Sequence, residues 1–403
     1  MSDEFNVISV IGLGYVGLPT AAVIANRGIQ VVGVDINPDV VATINRGETP
    51  LIESDLDTLV KSGVFSGKLK AVLTPEPADV YLISVPTPFK DGHIPDLSYL
   101  QTAINNLAPV ISKGNLIILE STSPVGTTER VRDWLSIARP NLALPGDAAN
   151  PDIYIAHSPE RVLPGRVLLE LVENDRVIGG ITPTCAKKAA SFYSLFVNGT
   201  CHLTDARTAE LVKLTENAFR DTNIAFANEM SLVCDKLDIN IWEMLELANC
   251  HPRVNILQPG PGVGGHCIAV DPWFIVDSAP ELTPLIRAAR SVNARKPDTI
   301  VEKILSSAEG AKASIIGFLG LAYKANIDDL RESPAVEIVQ KITGTFNGQI
   351  VVCEPNIREL PTELSFSKKI RLASLNTCLK DAEIIVLLTD HREFEGISPN
   401  TLV

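Results

Sequence analysis

Short apolar runs alternate with amphipathic helical segments along most of this chain. Near the N-terminus an apolar run at Phe5 to Ile11 precedes a helical pattern at Leu18 to Asn26, and a second apolar run follows at Gln30 to Val34. Apolar runs bounded by turn residues predict buried strands, and their alternation with helices predicts a parallel sheet. The same pattern predicts three further strands, at Val80 to Val85, Leu116 to Glu120 and Ile153 to Ala156.

The middle of the chain has a helical pattern from Asp205 to about Leu237, without proline or glycine. A helix of roughly 30 residues is about 45 Å long, so we predict a spine that joins two domains. Lys213 and Asn217 are four residues apart and therefore share one face of it. A solvated polar face is the alternative interpretation of this pair.

A second α/β pattern begins near Lys312. Strands are predicted at Ala313 to Phe318, Gln349 to Cys353 and Glu383 to Leu388, and a helix at Ser333 to Ile342 has serine as its N-cap and proline at its first position. The predicted fold class is therefore α/β: two doubly wound Rossmann-like domains joined by a central helical region with a long spine helix. The predicted boundaries are 1–203, 204–300 and 301–403.

Composition excludes some classes of protein. The 403 residues are 45% hydrophobic and 21% charged, as in soluble globular proteins, and a net charge of −13 argues against nucleic acid or an anionic membrane as a partner. A small phosphate-bearing ligand remains compatible with that charge. The N-terminus lacks the pattern of a signal peptide, and no apolar run is long enough for a membrane helix. Seven scattered cysteines without a C-x-x-C pair predict reduced thiols, no metal site and a cytoplasmic location.

The first strand is followed by Gly12-Leu-Gly14-Tyr-Val-Gly17, and the second strand ends at Asp35. In this strand–turn–helix–strand context the glycines permit a tight turn and a close approach to a pyrophosphate, which the helix N-terminus faces. Asp35 would accept from ribose hydroxyls and repel a 2′-phosphate, so NAD is favoured over NADP. A purely structural glycine turn is the alternative.

Polar or proline-rich turns follow the other predicted strands of this domain. They are Pro86-Thr87-Pro88, the segment Ser121 to Gly126, and Ser158-Pro159-Glu160-Arg161. Because the carboxyl ends of parallel strands line the ligand crevice, Thr122 and Glu160 are candidates for chemistry. Most such residues only form turns, which is the alternative for each of them.

The segment Pro259 to Trp273 holds four glycines within seven residues, directly followed by His266 and Cys267. Such a backbone bends sharply or lies against a ligand, so Cys267 is a candidate nucleophile, with Asp271 as a neighbouring carboxylate. A buried, inert cysteine is the alternative. Lys324 and Arg331 lie between a strand and a helix, where they suit phosphate or carboxylate but also suit an ordinary charged surface loop.

Taken together, these motifs resemble the UDP-glucose/GDP-mannose dehydrogenase family over essentially the whole chain. The matching motifs are Gly12-Leu-Gly14-Tyr-Val-Gly17, Val85-Pro-Thr-Pro88, Ser121-Thr122 with Pro124-Val-Gly126, Ser158-Pro-Glu160, Lys213-Leu-Thr-Glu-Asn217, Gly264-Gly-His-Cys267 and Lys324 to Ser333. Within the family, the segments His251 to Cys267 and Ser158 to Gly165 are most similar to those of members that act on UDP-N-acetyl-D-mannosamine.

The resemblance implies a four-electron oxidation of the C6 hydroxyl of UDP-N-acetyl-D-mannosamine to UDP-N-acetyl-D-mannosaminuronate, with two NAD reduced. UDP-N-acetyl-D-glucosamine or another UDP-hexose is the alternative substrate. A thiohemiacetal and then a thioester would form on Cys267. The implied catalytic residues are Cys267, Lys213, Asn217, Asp271, Glu160 and Thr122.

The resemblance also implies two sets of binding residues. Cofactor contacts are expected from Gly12, Gly14, Tyr15, Val16, Gly17, Asp35, Pro86, Thr87, Thr122 and Arg331. Substrate contacts are expected from Glu160, Arg161, Val162, Lys213, Asn217, Arg220, His251, Arg253, Gly264, Tyr323 and Lys324. Arg253 would reach the active site of a neighbouring subunit, which implies a homodimer. The chain departs from the UDP-glucose dehydrogenases at Arg161, which replaces an apolar residue, and at Pro164, which replaces a second glutamate.

Two other classes share parts of this pattern. A two-electron β-hydroxyacid dehydrogenase also joins a G-x-G-x-x-G domain to a helix bearing Lys-x-x-x-Asn, but needs neither the cysteine nor a second α/β domain. A non-catalytic sensor of NAD or a nucleotide sugar would keep the glycines but would not need Lys213 or Cys267, and both are present.

Overall fold

A computed structural model describes residues 5–51, 53, 55–162, 165–265 and 268–397 of the protein. The chain forms two compact units. The first unit runs to Thr215 and includes Trp273–Ser278, and the second unit comprises Glu216–Pro272 and the chain from Ala279 onwards. The three boundaries predicted above stay predictions.

The first unit is a parallel α/β layer structure. Its strands are β1 (Val7–Ile11), β2 (Gln30–Val34), β3 (Leu69–Val72), β4 (Val80–Ile83), β5 (Phe89–Lys90), β6 (Ile94–Pro95), β7 (Leu116–Leu119), β8 (Tyr154–His157), β9 (Arg176–Gly180) and β10 (Cys201–Asp205). Its helices are α1 (Gly17–Asn26), α2 (Pro38–Asn45), α3 (Leu56–Phe65), α4 (Ser98–Leu107), α5 (Thr127–Ala138), α6 (Val167–Glu173) and α7 (Pro183–Tyr193).

Eight of these strands form one sheet in the order β10-β9-β8-β7-β4-β1-β2-β3, and β5 pairs with β6 in a separate hairpin. Neighbours in the large sheet are parallel except β8 and β9. Along β4, Val80 and Leu82 enter one apolar cluster while Tyr81 and Ile83 enter the other. Both faces are therefore buried, as the continuous apolar runs of the sequence predict.

The second unit contains most of the central helices and a smaller sheet. α8 (Ala206–Leu237) is one continuous helix whose residues up to Thr215 belong to the first unit. The other elements are α9 (Ile241–Asn249), α10 (Asp271–Ser278), α11 (Pro284–Ala311), β11 (Ile315–Leu319), α12 (Pro334–Thr345), β12 (Gln349–Cys353), α13 (Thr362–Ser365), β13 (Ile370–Leu372), α14 (Leu375–Asp381) and β14 (Ile384–Leu387). From Trp273 onwards, α10 belongs to the first unit.

The four strands β13-β12-β11-β14 form a parallel sheet, which confirms the predicted second Rossmann-like pattern. Ser333 caps α12 by accepting from the Ala335 N–H at 3.2 Å, with Pro334 in the first position, as predicted. No helix in the described ranges combines the length and the apolar character needed to cross a bilayer.

The sequence pattern missed β3, β9, β10 and β13, as well as the two short hairpin strands β5 and β6. β9 begins with Arg176 and ends with two glycines, and β10 is an edge strand whose five residues are all partly or fully exposed. Neither shows the apolar run that identified the other strands, because an edge strand needs only one buried face and a glycine adds no side chain to a core.

Candidate active site

The glycine turn after β1 is crowded at two of its three glycines and open at the third. Gly12 has φ +91°, and a Cβ there would lie 2.7 Å from the Ser84 carbonyl oxygen. A Cβ on Gly17 would lie 1.8 Å from the Gly12 carbonyl oxygen. A Cβ on Gly14 would meet nothing within 4 Å. Gly12 and Gly17 are therefore required by the turn itself, whereas Gly14 keeps an open, exposed surface free of side-chain atoms.

Asp35 stands at the end of β2, beside that turn. One carboxylate oxygen accepts from the Leu13 N–H at 3.0 Å and the other from the Asn37 N–H at 2.9 Å. A carboxylate offers about four lone-pair sites, so acceptor capacity remains for ribose hydroxyls. Tyr15 and Val16 lie in the turn before α1. The open Gly14 face, the start of α1 and the partly satisfied acid fit NAD.

The loops after β4 and β7 meet, as expected for adjacent parallel strands. The Thr87 hydroxyl donates to the carbonyl oxygen of Thr122, and the Ser121 hydroxyl donates to the Val85 carbonyl oxygen at 2.7 Å. Thr122 is partly buried and Pro86 is exposed. The structure thus brings together three of the predicted cofactor residues, although their contacts with NAD stay a prediction.

Glu160 follows β8 in the first unit and is partly buried. Burial raises the pKa of its carboxyl group, and the positive charges of Lys213 and Arg176 act in the opposite direction. One Glu160 oxygen accepts from the Val162 N–H, while the Arg161 guanidinium donates to the Asp175 carbonyl oxygen at 3.3 Å. A carboxylate with a raised pKa beside a lysine suits proton transfer near neutral pH.

A buried network that the sequence pattern missed lies in the same unit. Glu120 is 2% exposed and accepts from the Ser84 hydroxyl at 3.0 Å and from the Tyr193 hydroxyl at 2.8 Å. The Arg176 guanidinium lies 3.8 Å from Glu120 and 4.5 Å from the centre of the Tyr193 ring. The sequence did contain one signal for this network, a glutamate at the end of an otherwise apolar strand. A carboxylate is buried at such a position only when it has polar partners.

In the second unit, Asn217 on α8 and Asp271 at the start of α10 are both buried, and the Asn217 amide donates to the Asp271 carboxylate. Both were predicted to be catalytic, and the structure joins them. His266 and Cys267 lie outside the described residues, as does Pro164. The predicted roles of these residues therefore stay predictions.

The glycines before Cys267 pack on the segment 320–333. A Cβ on Gly264 would lie 2.5 Å from the Glu332 carbonyl oxygen, and one on Gly265, which has φ +79°, would lie 2.8 Å from the Tyr323 ring. The Gly265 N–H also donates to the Arg331 carbonyl oxygen at 3.3 Å. The glycines are needed here because backbone lies against backbone and an aromatic ring.

The same segment contains two of the predicted cationic ligands. Lys324 is partly buried. The Arg331 guanidinium donates two hydrogen bonds to the Asp329 carboxylate, at 2.9 and 2.6 Å. A cofactor contact by Arg331 would have to compete with that bidentate pair.

The remaining predicted substrate residues, Arg220, His251 and Arg253, are exposed. The chain after them is held by two asparagines of α8 that the sequence pattern missed. The Asn223 side chain donates to the Asn255 carbonyl oxygen and accepts from the Leu257 N–H, both at 2.9 Å. Asn228 accepts from the Gly260 N–H at 2.9 Å. These amides fix the chain that leads from Arg253 to the glycines.

The six described cysteines are unpaired. Burial raises the pKa of Cys353 to about 11 and that of Cys378 to about 12, so both thiols stay protonated at neutral pH. Within the described ranges, no three of the His, Cys, Asp and Glu side chains are grouped to hold a metal ion.

Three family models match the chain in sequence order. The NAD-binding domain of the UDP-glucose/GDP-mannose dehydrogenase family matches residues 6–197, its central domain matches residues 207–295, and its UDP-binding domain matches residues 317–403. Together they account for well over half of the chain.

Individual relatives match over almost their full length. An NDP-N-acetyl-D-galactosaminuronic acid dehydrogenase of Ralstonia nicotianae is 56% identical over 99% of this chain and 94% of its own. A UDP-N-acetyl-D-mannosamine dehydrogenase of Campylobacter jejuni is 54% identical over 100% of this chain and 99% of its own. The solved structure of UDP-D-ManNAc dehydrogenase from Pyrococcus horikoshii is 41% identical, with a TM-score of 0.89 over 98% of this chain and 92% of that one.

Proposed function

Because the chain belongs to the UDP-glucose/GDP-mannose dehydrogenase family and is an NAD-dependent UDP-sugar dehydrogenase, we propose that it oxidises the C6 hydroxyl of UDP-N-acetyl-D-mannosamine to a carboxylate. The observation that carries the proposed chemistry is the buried Asn217–Asp271 contact. It joins the amide of one proposed catalytic residue to the carboxylate of another within the second unit.

In the first half of the proposed reaction the C6 alcohol becomes an aldehyde. Bound NAD supplies the hydride acceptor in this half and, as a second molecule, in the next. Lys213 stabilises the developing alkoxide, and Asn217 donates a hydrogen bond to the same oxygen. The hydroxyl proton leaves through water held by Thr122 and Asp271, so the sugar loses one hydride and one proton.

In the second half the Cys267 thiolate adds to the aldehyde carbon and forms a thiohemiacetal. Loss of a second hydride and a proton converts this adduct to a thioester. Water then attacks the thioester carbonyl, the C–S bond breaks, and the carboxylate and the free thiol are released. Glu160 is the proposed base for that water, and its position beside Lys213 in the first unit supports the assignment.

The choice of sugar rests on the relatives. Those named UDP-N-acetyl-D-mannosamine dehydrogenase are 52–54% identical to this chain. An N-acetylgalactosamine configuration is the second candidate, because the two relatives named NDP-N-acetyl-D-galactosaminuronic acid dehydrogenase are 56% and 54% identical. UDP-N-acetyl-D-glucosamine remains the alternative drawn from the sequence.

The test is NADH production with UDP-N-acetylmannosamine, UDP-N-acetylgalactosamine, UDP-N-acetylglucosamine and UDP-glucose in parallel. We expect the highest kcat/KM with the mannosamine sugar and two NADH per sugar consumed. One NADH per sugar would refute the thioester route, and a higher kcat/KM with another sugar would reassign the substrate.

A cysteine exchange tests the covalent step. Cys267→Ser should bind substrate and abolish net turnover, whereas the matched exchange Cys250→Ser, at an exposed cysteine, should leave turnover unchanged. Full activity of the Cys267 variant would contradict the mechanism. A cytoplasmic location belongs to the same proposal, because the six described cysteines are unpaired, as is usual in reducing compartments.

We also propose a homodimer, in which Arg253 reaches the neighbouring active site. Large apolar side chains on α8 are exposed at seven-residue intervals, at Phe219, Phe226 and Val233, and Trp242 and Leu247 of α9 are exposed as well. An exposed stripe of this kind favours a second copy of the chain as its cover. Sedimentation should give a dimer that Phe226→Asp converts to a monomer, and a monomeric wild type would refute the assembly.

A further inference from the structure

An acidic residue follows the second strand of each of the two Rossmann-like sheets. In the first unit this residue is Asp35, which accepts from two backbone N–H groups. In the second unit it is Glu354, which is 4% exposed and accepts from the N–H groups of Leu321 at 2.7 Å and Ala322 at 3.0 Å. Its other oxygen accepts from the Asn356 N–H at 3.1 Å.

The Asn356 side-chain amide, at 3.3 Å, and His391 occupy the remaining acceptor capacity of Glu354. The His391 ring is fully buried, and its Nε2 lies 3.0 Å from the glutamate Oε2. Its Nδ1 accepts from the backbone N–H of Asn326 at 2.9 Å. A backbone N–H can only donate, so Nδ1 carries the lone pair, and the ring proton sits on Nε2 and is donated to Glu354. The tautomer of this histidine is therefore set by its partners, which also include the Asn356 side-chain amide, 3.2 Å from Nδ1.

The contact with Asn326 reaches the segment 320–333, which contains Tyr323 and Lys324. Asn326 has φ +63°, a backbone conformation that needs support from its surroundings. The chain around His391 supplies that support on both sides of the turn. The Thr389 hydroxyl donates to the Ala322 carbonyl oxygen at 2.6 Å, and the Arg392 N–H donates to the Asn326 side-chain oxygen at 2.9 Å.

On its other side, the segment is packed against the glycines that precede Cys267, through the Tyr323 ring and Gly265. Movement of the Asn326 turn would therefore displace Lys324, two residues away, and alter the packing of Tyr323. This connects a buried histidine, which is not among the predicted catalytic and binding residues, to the residues expected to bind the nucleotide sugar.

We propose that His391 is a positioning residue for UDP-sugar binding: by joining Glu354 to the Asn326 backbone it holds Tyr323 and Lys324 in their binding arrangement. The inference rests on the proposed function of Tyr323 and Lys324 as substrate ligands. In the first unit Asp35 keeps acceptor capacity for a ribose, whereas in the second unit the hydrogen bonds of Glu354 fix a loop.

Two exchanges at one position separate the two contacts of the histidine. His391→Asn keeps an acceptor near the Nδ1 position and loses the donor to Glu354, whereas His391→Gln keeps a donor near the Nε2 position and loses the acceptor for Asn326. We expect His391→Gln to raise the Kd for UDP about fivefold, as the loss of one hydrogen bond of about 1 kcal/mol would. His391→Asn should raise it by a similar factor, because the link between Glu354 and the Asn326 backbone is broken in either variant.

The assay is calorimetric titration of the full chain with UDP and, separately, with NAD. The Kd for NAD should be unchanged in both variants, and so should both Kd values in the matched control His202→Gln, at an exposed histidine of β10. Thr389→Val removes the neighbouring contact to the Ala322 carbonyl without an exchange at the ring, and it should also weaken UDP binding. It provides the measurement if His391→Gln does not fold.

Several results would overturn the proposal. They are an unchanged Kd for UDP in both His391→Gln and Thr389→Val, an equal loss of UDP and NAD affinity, and a wild type that does not bind UDP. UDP binding with the expected pattern but without oxidation of any UDP-amino sugar would refute the proposed function and leave the positioning role intact.

Discussion

We predict that the buried side chain of His157 makes the protein less stable at acidic pH. It ends β8, directly before Ser158-Pro159-Glu160, and its side chain is fully buried. Neither ring nitrogen has a hydrogen-bond partner within the part of the chain that the structure describes. Burial lowers the pKa of His157 from 6.5 to about 3; the nearby Leu119 backbone opposes this shift, and the positive charge of Lys213 adds to it. The folded state therefore requires the neutral ring.

The sign follows from proton binding. Below pH 6.5 the unfolded chain binds a proton at His157 that the folded chain excludes until about pH 3, so stability falls as the pH falls through this window. The loss is about 2 kcal/mol at pH 5 and less than about 0.2 kcal/mol at pH 7. Glu160, Glu210 and Asp221 have raised pKa values, which change stability with pH in the opposite direction. A variant is therefore needed to separate the contribution of His157 from theirs.

His157→Phe keeps a planar ring and removes the titration. Urea unfolding at pH 7 and pH 5 gives the free energy of unfolding of variant and wild type at each pH. The wild type should lose about 2 kcal/mol more than the variant between the two values. In the matched control His202→Phe, at an exposed histidine, the difference from wild type should stay within about 0.5 kcal/mol.

An identical pH dependence in wild type and His157→Phe would refute this reasoning, because the carboxylates that titrate are the same in both proteins. A difference of opposite sign would mean that the folded protein stabilises the charged His157 ring better than water does. In that case the ring would need a partner that the described residues do not provide.

Other parts of the structure lead to further predictions. Gly14→Ala should raise the KM for NAD without loss of thermal stability, whereas Gly17→Ala, whose Cβ would lie 1.8 Å from a carbonyl oxygen, should lower the free energy of unfolding by more than about 2 kcal/mol; equal melting temperatures would contradict this. Because burial raises the pKa of Glu160, the acidic limb of the kcat–pH profile should lie above the ordinary glutamate value of about 4.3; a limb at that value would exclude Glu160 as the base. Arg290→Met leaves the buried Asp221 carboxylate without its cation, although the Asn293 amide still donates to it, and should cost about 3–5 kcal/mol in urea unfolding, largely recovered when Asp221→Asn is added; an equal cost in the double variant would exclude the charge as the cause.

Local signals account for most of what could be predicted from the sequence. The apolar run, the glycines and the acid around Gly12 and Asp35 lie within one strand–helix–strand unit, and the Ser333 cap involves a residue two positions away. Such features depend on nearest neighbours and on backbone geometry, which sequence spacing reports directly. The predicted strands and the spine helix depend on the same kind of local signal, and the structure confirms them.

Features that depend on distant partners could not be predicted. Glu120 follows β7 and Arg176 begins β9, so their contact depends on the antiparallel pairing of β9, a strand that shows no apolar run. In the sequence, Asn223 and Asn228 are ordinary polar residues of a helix. Their role depends on hydrogen bonds to residues 255 to 260, which only the folded structure brings into contact with them. Their partners are 32 or more residues away, beyond the reach of any periodicity.

The acids Asp35 and Glu354 show how one local pattern leads to two outcomes. Each follows the second strand of a Rossmann-like sheet and accepts from the turn after the first strand. Their difference comes from further donors to Glu354: the Ala322 N–H, the Asn356 side-chain amide and His391, which lies 37 residues further along the chain. An acid with free acceptor sites suits a ribose, whereas an acid with none organises protein. Whether a motif binds a ligand therefore depends on which of its polar atoms the rest of the fold has already satisfied.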